Sequence, residues 1–295
     1  MTAIVYRVRH QTTYRYQRNV TLSQQMLHMT PRSFATQEIL SNQLTIEPAP
    51  VDWINRVDYF GNPTRSFTLS VPHQQLSVLA ESVVRLTPRP SLAQIGATQP
   101  WEQQRAQLSR VHAGQDCTPF DFLYPSPHVV CLPELADYAR PSFSPGRDLL
   151  AACMSLTERI FSDFMFDSNA TTISTPLLQV LHGRRGVCQD FAHLMLGCLR
   201  TLGLAGRYVS GYILTTPPPG QPRMIGADAS HAWVGVYCDG VGWVDFDPTN
   251  RCVVGEKHIT LGWGRDFSDV TPMRGLVLGG GVQKLQVAVT VEHQF

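Results

Sequence analysis

Apolar and polar residues alternate through the first part of the chain with the two-residue period of half-buried strands. Ile4–His10, Thr12–Tyr16, Ser23–Met29, Gln43–Glu47, Asp52–Asp58, Ser66–Val71 and Leu76–Val84 each alternate or are β-branched, with short polar or Pro/Gly breaks between them. Tyr59-Phe60-Gly61-Asn62-Pro63 is a turn signal between two of these runs. This succession of short strands predicts a small β-sandwich over residues 1–88.

The pattern then changes. Pro88, Pro90, Pro100, Pro119, Pro125, Pro127, Pro133, Pro141 and Pro145 interrupt residues 89–145 and forbid a long element. Short helices are predicted within Trp101–Val111 and Pro133–Tyr138. Phe120, Phe122, Leu123 and Tyr124 are too apolar for a free tether, so the connector is expected to be ordered and wrapped on the rest.

From residue 146 to 295 a helical period appears first. Leu149, Leu150, Cys153, Leu156, Ile160, Phe161 and Phe164 share one helix face. Thr175-Pro176 opens a second helix that Gly183 closes. A third begins at Cys188, with Phe191, Leu194, Met195, Cys198, Leu199 and Leu202 as its buried stripe and Gly203 as its stop. Strands are predicted over Gly206–Leu214, His231–Cys238 and Gly242–Asp247, the last two joined at Asp239-Gly240 as a hairpin. Leu285–Val291 is expected to return to a sheet, and Thr216–Pro222 to form a surface loop over a cleft.

Composition narrows the class. A chain of 295 residues suits two modest domains, and 43% apolar with 16% charged residues is an ordinary globular balance. A net charge of +1 gives no field that recommends nucleic acid or an anionic membrane as partner. Arg184-Arg185 is expected to be a solvated loop. Met1–Tyr16 alternates and carries Arg7, Arg9 and Arg15, unlike the apolar core of a signal peptide, and no run is long enough to span a bilayer. Seven scattered cysteines with no Cys-x-x-Cys pair argue against a disulfide framework and a structural zinc site, and a reducing cytoplasm is the expected setting.

Three residues carry candidate chemistry. Cys188 falls in the first turn of its helix, where free N–H groups and the helix dipole favour a thiolate. A two- or three-residue turn at Asp239–Val241 sets His231 and Asp247 nearly opposite one another, on the face that Trp233 and Trp243 share. A carboxylate beside an imidazole fixes its tautomer and leaves the other nitrogen for the thiol. Asp245 has the same parity and is a rival orienter. Alone, Asp247 would be a turn-former before Pro248. His193 lies about 140° around the helix from Cys188 and is expected to pack or hydrogen-bond. Cys153 and Cys198 belong to apolar stripes and are expected to be core.

These motifs resemble a known family. Gly186-Val187-Cys188, Ser230-His231-Ala232-Trp233-Val234 and Gly242-Trp243-Val244-Asp245-Phe246-Asp247-Pro248-Thr249-Asn250 are similar to the core of the transglutaminase-like superfamily, above all its bacterial branch read as cysteine proteases. Thr175-Pro176-Leu177, Arg207-Tyr208-Val209-Ser210-Gly211-Tyr212 and Gly264–Val270 resemble that branch too. Leu27-His28-Met29-Thr30-Pro31-Arg32 and Tyr59-Phe60-Gly61-Asn62 resemble its N-terminal β region. The resemblance implies an α+β protein, an N-terminal β-sandwich followed by a papain-like core in which a Cys-bearing helix packs on an antiparallel sheet.

The implied chemistry is acyl transfer on amide bonds through a thioester, with Cys188 as nucleophile, His231 as acid–base and Asp247 as its orienter. Peptidase or amidase hydrolysis is the first expectation; glutamine crosslinking and a binding scaffold without turnover are the alternatives. No metal or organic cofactor is expected. The expected partner is a peptide or protein amide, with neither nucleic acid nor membrane. Neither the second oxyanion donor nor the role of the N-terminal domain is legible, and no feature specifies the oligomeric state.

Overall fold

A computed structural model describes residues 3–110, 118–215 and 229–294. The N-terminal strands are β1 (Ile4–Leu27), β2 (Gln37–Glu47), β3 (Trp53–Val57), β4 (Pro63–Leu69) and β5 (His73–Leu86). The connector carries α1 (Leu92–Ile95), α2 (Trp101–Leu108) and α3 (Pro133–Ala139). Then follow α4 (Leu149–Asp163), β6 (Met165–Phe166), α5 (Leu177–Gly183), β7 (Arg185–Gly186) and α6 (Cys188–Thr201). The second half adds β8 (Gly206–Ile213), β9 (Ala229–Cys238), β10 (Gly242–Asp247), β11 (Cys252–Val253), β12 (His258–Gly264), β13 (Met273–Gly279) and β14 (Gln283–His293). The mixed α and β content, with a helix against an antiparallel sheet, is the expected fold class.

The first three expected strands are one continuous strand of 24 residues. Nothing between His10 and Ser23 is Gly or Pro, and a register shift between Arg15 and Val20 bends the strand without ending it. The first half of β1 pairs with β5 and β14, and the second half with β4 and β13. The two layers of the expected sandwich are thus arms of one curled sheet. Val20, Leu27, Leu44, Ile46, Phe67, Leu69 and Val78 fill the space between them. Its last two strands come from the chain's end. Residues 273–279 and 283–293, grouped in sequence with the 146–295 segment, pair with β1 at the front of the chain.

The second sheet runs β11-β10-β9-β8-β12, all antiparallel. Helix α6 lies against β8 and β9 on one side, with α3, α4 and α5 on the other. Every residue from Asp190 to Arg200 is buried, so the apolar stripe read in sequence is only part of a helix enclosed all round. Arg200 pays its enclosure back through hydrogen bonds to backbone carbonyls: Nε to Phe122 O, Nη1 to Tyr124 O and Nη2 to Gly206 O. These bonds hold the connector on the core, as its apolar residues suggest.

Strand β12 is an edge of the second sheet, and two amide side chains cover it. Gln37 donates to Thr260 O at 2.7 Å and accepts from Thr260 N–H at 2.8 Å. Asn62 does the same for Trp263, at 2.8 and 2.9 Å. Each amide stands in for a residue of a neighbouring strand, which satisfies the backbone and blocks edge pairing. The turn at Asp58–Asn62 is built for this task. Asp58 Oδ1 accepts from Phe60 N–H and Asn62 N–H, and Gly61 takes φ +79°. Tyr6, Val8, Tyr212, Ile259 and Leu261 form an apolar seam between the two sheets.

Candidate active site

Cys188 is the first residue of α6 and half-buried. The Asp190 carboxylate fastens the chain before it, accepting from Val187 N–H at 2.8 Å and from Thr171 Oγ1 at 2.6 Å. That carboxylate sits at the positive end of the helix. Gly186 is required by this contact: a Cβ there would meet Asp190 Oδ2 at 2.7 Å and Asp190 Cβ at 2.9 Å. Its role is close approach, and its carbonyl is tied down by Asp167 N–H at 2.9 Å.

His231 and Asp247 come together on the hairpin. Strands β9 and β10 pair Phe246 with Val234 and Gly242 with Cys238, leaving Asp239–Val241 as the turn. In that register the two residues are diagonal neighbours, as the spacing implies. His231 Nε2 donates to Asp247 Oδ2 at 2.7 Å, and neither side chain is more than 5% exposed. This leaves Nδ1 for the Cys188 thiol, which lies close enough to raise the pKa of the same ring.

Asp247 is the most heavily engaged group of the site. Its Oδ1 accepts from Thr249 N–H at 2.9 Å and Asn250 N–H at 3.1 Å, the turn-forming bonds expected of an Asp before Pro. Its Oδ2 also accepts from Asn250 Nδ2 at 2.7 Å and His258 Nε2 at 3.0 Å. One carboxylate therefore both shapes the turn and orients the imidazole. His258 and Asn250 escaped the sequence reading. Asn250 had a local signal, since an Asp-Pro-Thr-Asn turn brings its own amide back on the Asp. His258 had none, because β9 and β8 lie between its strand and that of Asp247 in the sheet order.

The charges follow from these contacts. Burial opposes ionisation of Asp247, but the hydrogen bonds from His231 and His258 and the charge of His231 outweigh it and hold the carboxyl well below the usual range. Burial likewise disfavours the imidazolium of His231. Its hydrogen bonds to Asp247 and Cys188, with the charges of both, reverse that and push it up to about 10. His231, Asp247 and His258 each present a ligand atom within 4.8 Å of the others, a donor set with the composition of a metal site. Gly255 N–H points at His258 Nδ1, which puts the proton on Nε2 and makes that atom a donor to Asp247 rather than a free ligand.

The remaining candidates sort out by position. Asp245, the rival orienter, is buried one pleat away and pairs with Arg89 at 2.7 Å and Arg207 at 3.5 Å. His193 accepts from Phe267 N–H at 3.2 Å and stacks on His128, the packing role expected of it. Burial lowers its pKa, in keeping with a neutral acceptor. Cys153 and Cys198 are fully buried, and burial pushes the Cys198 thiol up to about 12 and that of Cys153 higher. The described cysteines are free thiols. Arg184 and Arg185 are exposed, as expected, with Arg184 over the rings of Tyr138 and Phe164. The expected loop at Thr216–Pro222 lies outside the described residues.

A helix-borne thiol, a strand-borne imidazole and a turn-borne carboxylate on an antiparallel sheet define the architecture of a papain-like α+β protein. The Transglutaminase-like superfamily matches residues 136–248, and the Bacterial transglutaminase-like N-terminal region matches residues 6–85. The chain belongs to the transglutaminase-like superfamily. It is 43% identical to the uncharacterised protein Rv2569c of Mycobacterium tuberculosis over 92% of this chain and 87% of that one. It is 32% identical to the uncharacterised protein ML0607 of Mycobacterium leprae over 97% of each. Its fold is similar to the crystal structure titled a "putative cysteine protease" from Cytophaga hutchinsonii, with TM-score 0.76, 20% identity, and 99% and 91% of the two chains covered.

Proposed function

We propose that the chain is a cysteine-dependent acyl-transfer enzyme that hydrolyses peptide or other amide bonds. The observation that carries the reading is the convergence of Cys188, His231 and Asp247, with His231 hydrogen-bonded to Asp247 at 2.7 Å and close enough to Cys188 for the thiol to raise its pKa. The Cys188 thiolate attacks the carbonyl carbon, and the C–N bond breaks as His231 gives its proton to the leaving amine. Water then attacks the thioester, His231 takes its proton, and the Cys188 thiolate departs.

The N–H of Cys188, free at a helix start, is the natural first donor to the oxyanion. Tyr208 is the proposed second. It is buried, and burial, Cys188 and Asp190 all disfavour its phenolate, so its hydroxyl keeps a proton to donate. A cleft of about 380 Å³, with Val130, Leu132, Ile173 and Pro176 on its apolar side and His128 and His193 on its polar side, opens beside the first turn of α6. It suits an apolar side chain of a peptide substrate.

Hydrolysis and amine transfer share these groups and differ in what resolves the thioester. Among the described residues no helix is long and apolar enough to cross a membrane. The cytoplasm is the proposed setting, because a reducing compartment keeps Cys188 nucleophilic. The test is mass spectrometry of wild type and Cys188→Ala after incubation with a peptide library and a primary amine. Cys188-dependent cleavage or loss of ammonia supports the hydrolase. Amine incorporation would make it a transglutaminase, and no Cys188-dependent product would sink both.

A further inference from the structure

The joint between the curled sheet and the second sheet contains a cavity of about 560 Å³ that the thiol chemistry does not use. Its floor is the outer face of β8 and β10, at Arg207, Trp243 and Asp245, and its walls carry Arg32, Arg89 and Trp263. The volume is that of a site for a small organic ligand.

Its electrostatics are unbalanced. Arg207 is only 8% exposed, and its guanidinium carbon lies 3.9 Å from the Trp263 ring centroid and 4.5 Å from that of Trp243. Arg32 lies 3.2 Å from the same Trp263 centroid. Two guanidinium groups that close to one ring occupy opposite faces, so the indole separates like charges. Asp245 is the lining carboxylate, and its Oδ2 is already taken by Arg89 at 2.7 Å. Arg207 reaches the other oxygen at 3.5 Å, and among the described residues neither Arg207 Nε nor Asp245 Oδ1 has a hydrogen-bond partner. Arg32 is served by Phe60 O, Asn62 Oδ1 and the nearby Asp58 carboxylate, but Arg89 and Arg207 share the single carboxylate of Asp245 in a partly desolvated space, an excess of positive charge that an anion would relieve. Burial lowers the pKa of Arg207 and Arg32 to about 10, and each remains a cation at neutral pH.

We infer that this cavity binds a small planar anion, an aromatic or heterocyclic carboxylate or phosphate ester. Its charge meets Arg89 and Arg207, and its ring packs against Phe34, Trp243 and the edge of Trp263. The aromatic lining calls for the planar body and the surplus guanidinium charge for the anion. Asp245 and Asp247 alternate with Phe246 on one strand, so the ligand lies on the same sheet face as the orienter of His231 and apart from Cys188.

The test uses the full-length protein with phenyl phosphate, benzoate and their uncharged counterpart benzyl alcohol. Binding is followed by calorimetry and by the fluorescence of the lining tryptophans. Saturable binding of phenyl phosphate or benzoate is expected, with benzyl alcohol at least about tenfold weaker, salt weakening the anions, and Arg89→Met costing at least about tenfold in affinity. Absence of saturation by about 10 mM, a threshold for weaker than millimolar binding, would overturn the inference. Equal affinity for benzyl alcohol, or unchanged affinity in a folded Arg89→Met, would overturn it too. The comparison of ligands on the wild type decides the question even if the variant misfolds.

Discussion

The Asp247 carboxylate meets His231 Nε2 at 2.7 Å across the β9–β10 hairpin, from a position with no solvent exposure. It does so while accepting further hydrogen bonds from His258, Asn250 and the backbone of the turn. Orientation and charge of the imidazole therefore rest on a group that cannot move without opening the turn. Asp247→Asn is expected to lower amide turnover by about 10³–10⁴-fold, the scale of losing the correct tautomer of a catalytic histidine. Steady-state kinetics on a Cys188-dependent substrate measures it.

The pH dependence has a definite sign. The pKa of His231 is raised from 6.5 to about 10, so its interactions contribute stability that is complete below pH 6.5 and is lost as pH rises through about 10. Cys188→Ala removes one of the two neighbours that raise it. In that variant the imidazole is expected to titrate at a lower pH, and the alkaline loss of stability to begin earlier. NMR titration of the His231 ring, with urea unfolding at several pH values, reads both. An unchanged midpoint would count against the thiol–imidazole contact.

In the proposed reaction His258 acts through Asp247, to which it donates at 3.0 Å, and is a positioning residue. His258→Phe deletes one charged-acceptor hydrogen bond and is expected to lower kcat by roughly 10–100-fold, with KM little changed. Loss of that donor also raises the Asp247 pKa, so the acid limb of the pH–rate profile should move to higher pH. His258→Gln keeps an N–H and should recover part of the loss. A variant that altered stability alone would leave the acid limb in place.

Gly186→Ala tests the close approach before the nucleophile. The added Cβ collides with the Asp190 carboxylate that holds Val187 N–H, and a cost of about 1–3 kcal/mol in unfolding free energy is expected, as for overpacking elsewhere. Thermal and denaturant unfolding give that cost. The rate at which a thiol reagent labels Cys188 should fall with it.

His193→Leu separates packing from chemistry. It leaves the Phe267 N–H without its acceptor, for an expected loss of about 1–3 kcal/mol, and removes the ring stacked on His128. Labelling of Cys188 should continue at the wild-type rate. A large drop in labelling by a folded variant would give His193 a direct part.

Much was legible in the chain itself because it rests on local rules. The period of Phe191, Leu194, Met195 and Cys198 defines α6 and sets Cys188 at its start. The Asp239-Gly240 turn determines the β9–β10 register, and that register brings His231 and Asp247 together. Parity alone could not separate Asp247 from Asp245, which has the same face. The choice was made by Arg89 and Arg207, which come from the connector and from β8 and claim Asp245.

Tertiary structure decided whatever depends on which distant segments meet. Strand periodicity says that a residue is half-buried but not which strand lies beside it, so β1 could be read as three strands, and the pairing of its ends with β13 and β14 could not be read. Gln37 and Asn62 look like ordinary polar residues in sequence. Only the meeting of the two sheets turns them into the cover of the β12 edge. The same meeting stacks Arg32 and Arg207 on Trp263, and the β8–β12 pairing carries His258 to Asp247. Local sequence therefore determined the elements and the atoms of the thiol site, because helix and hairpin geometry act over a few residues. Long-range packing determined their neighbours, because burial is a property of the whole chain.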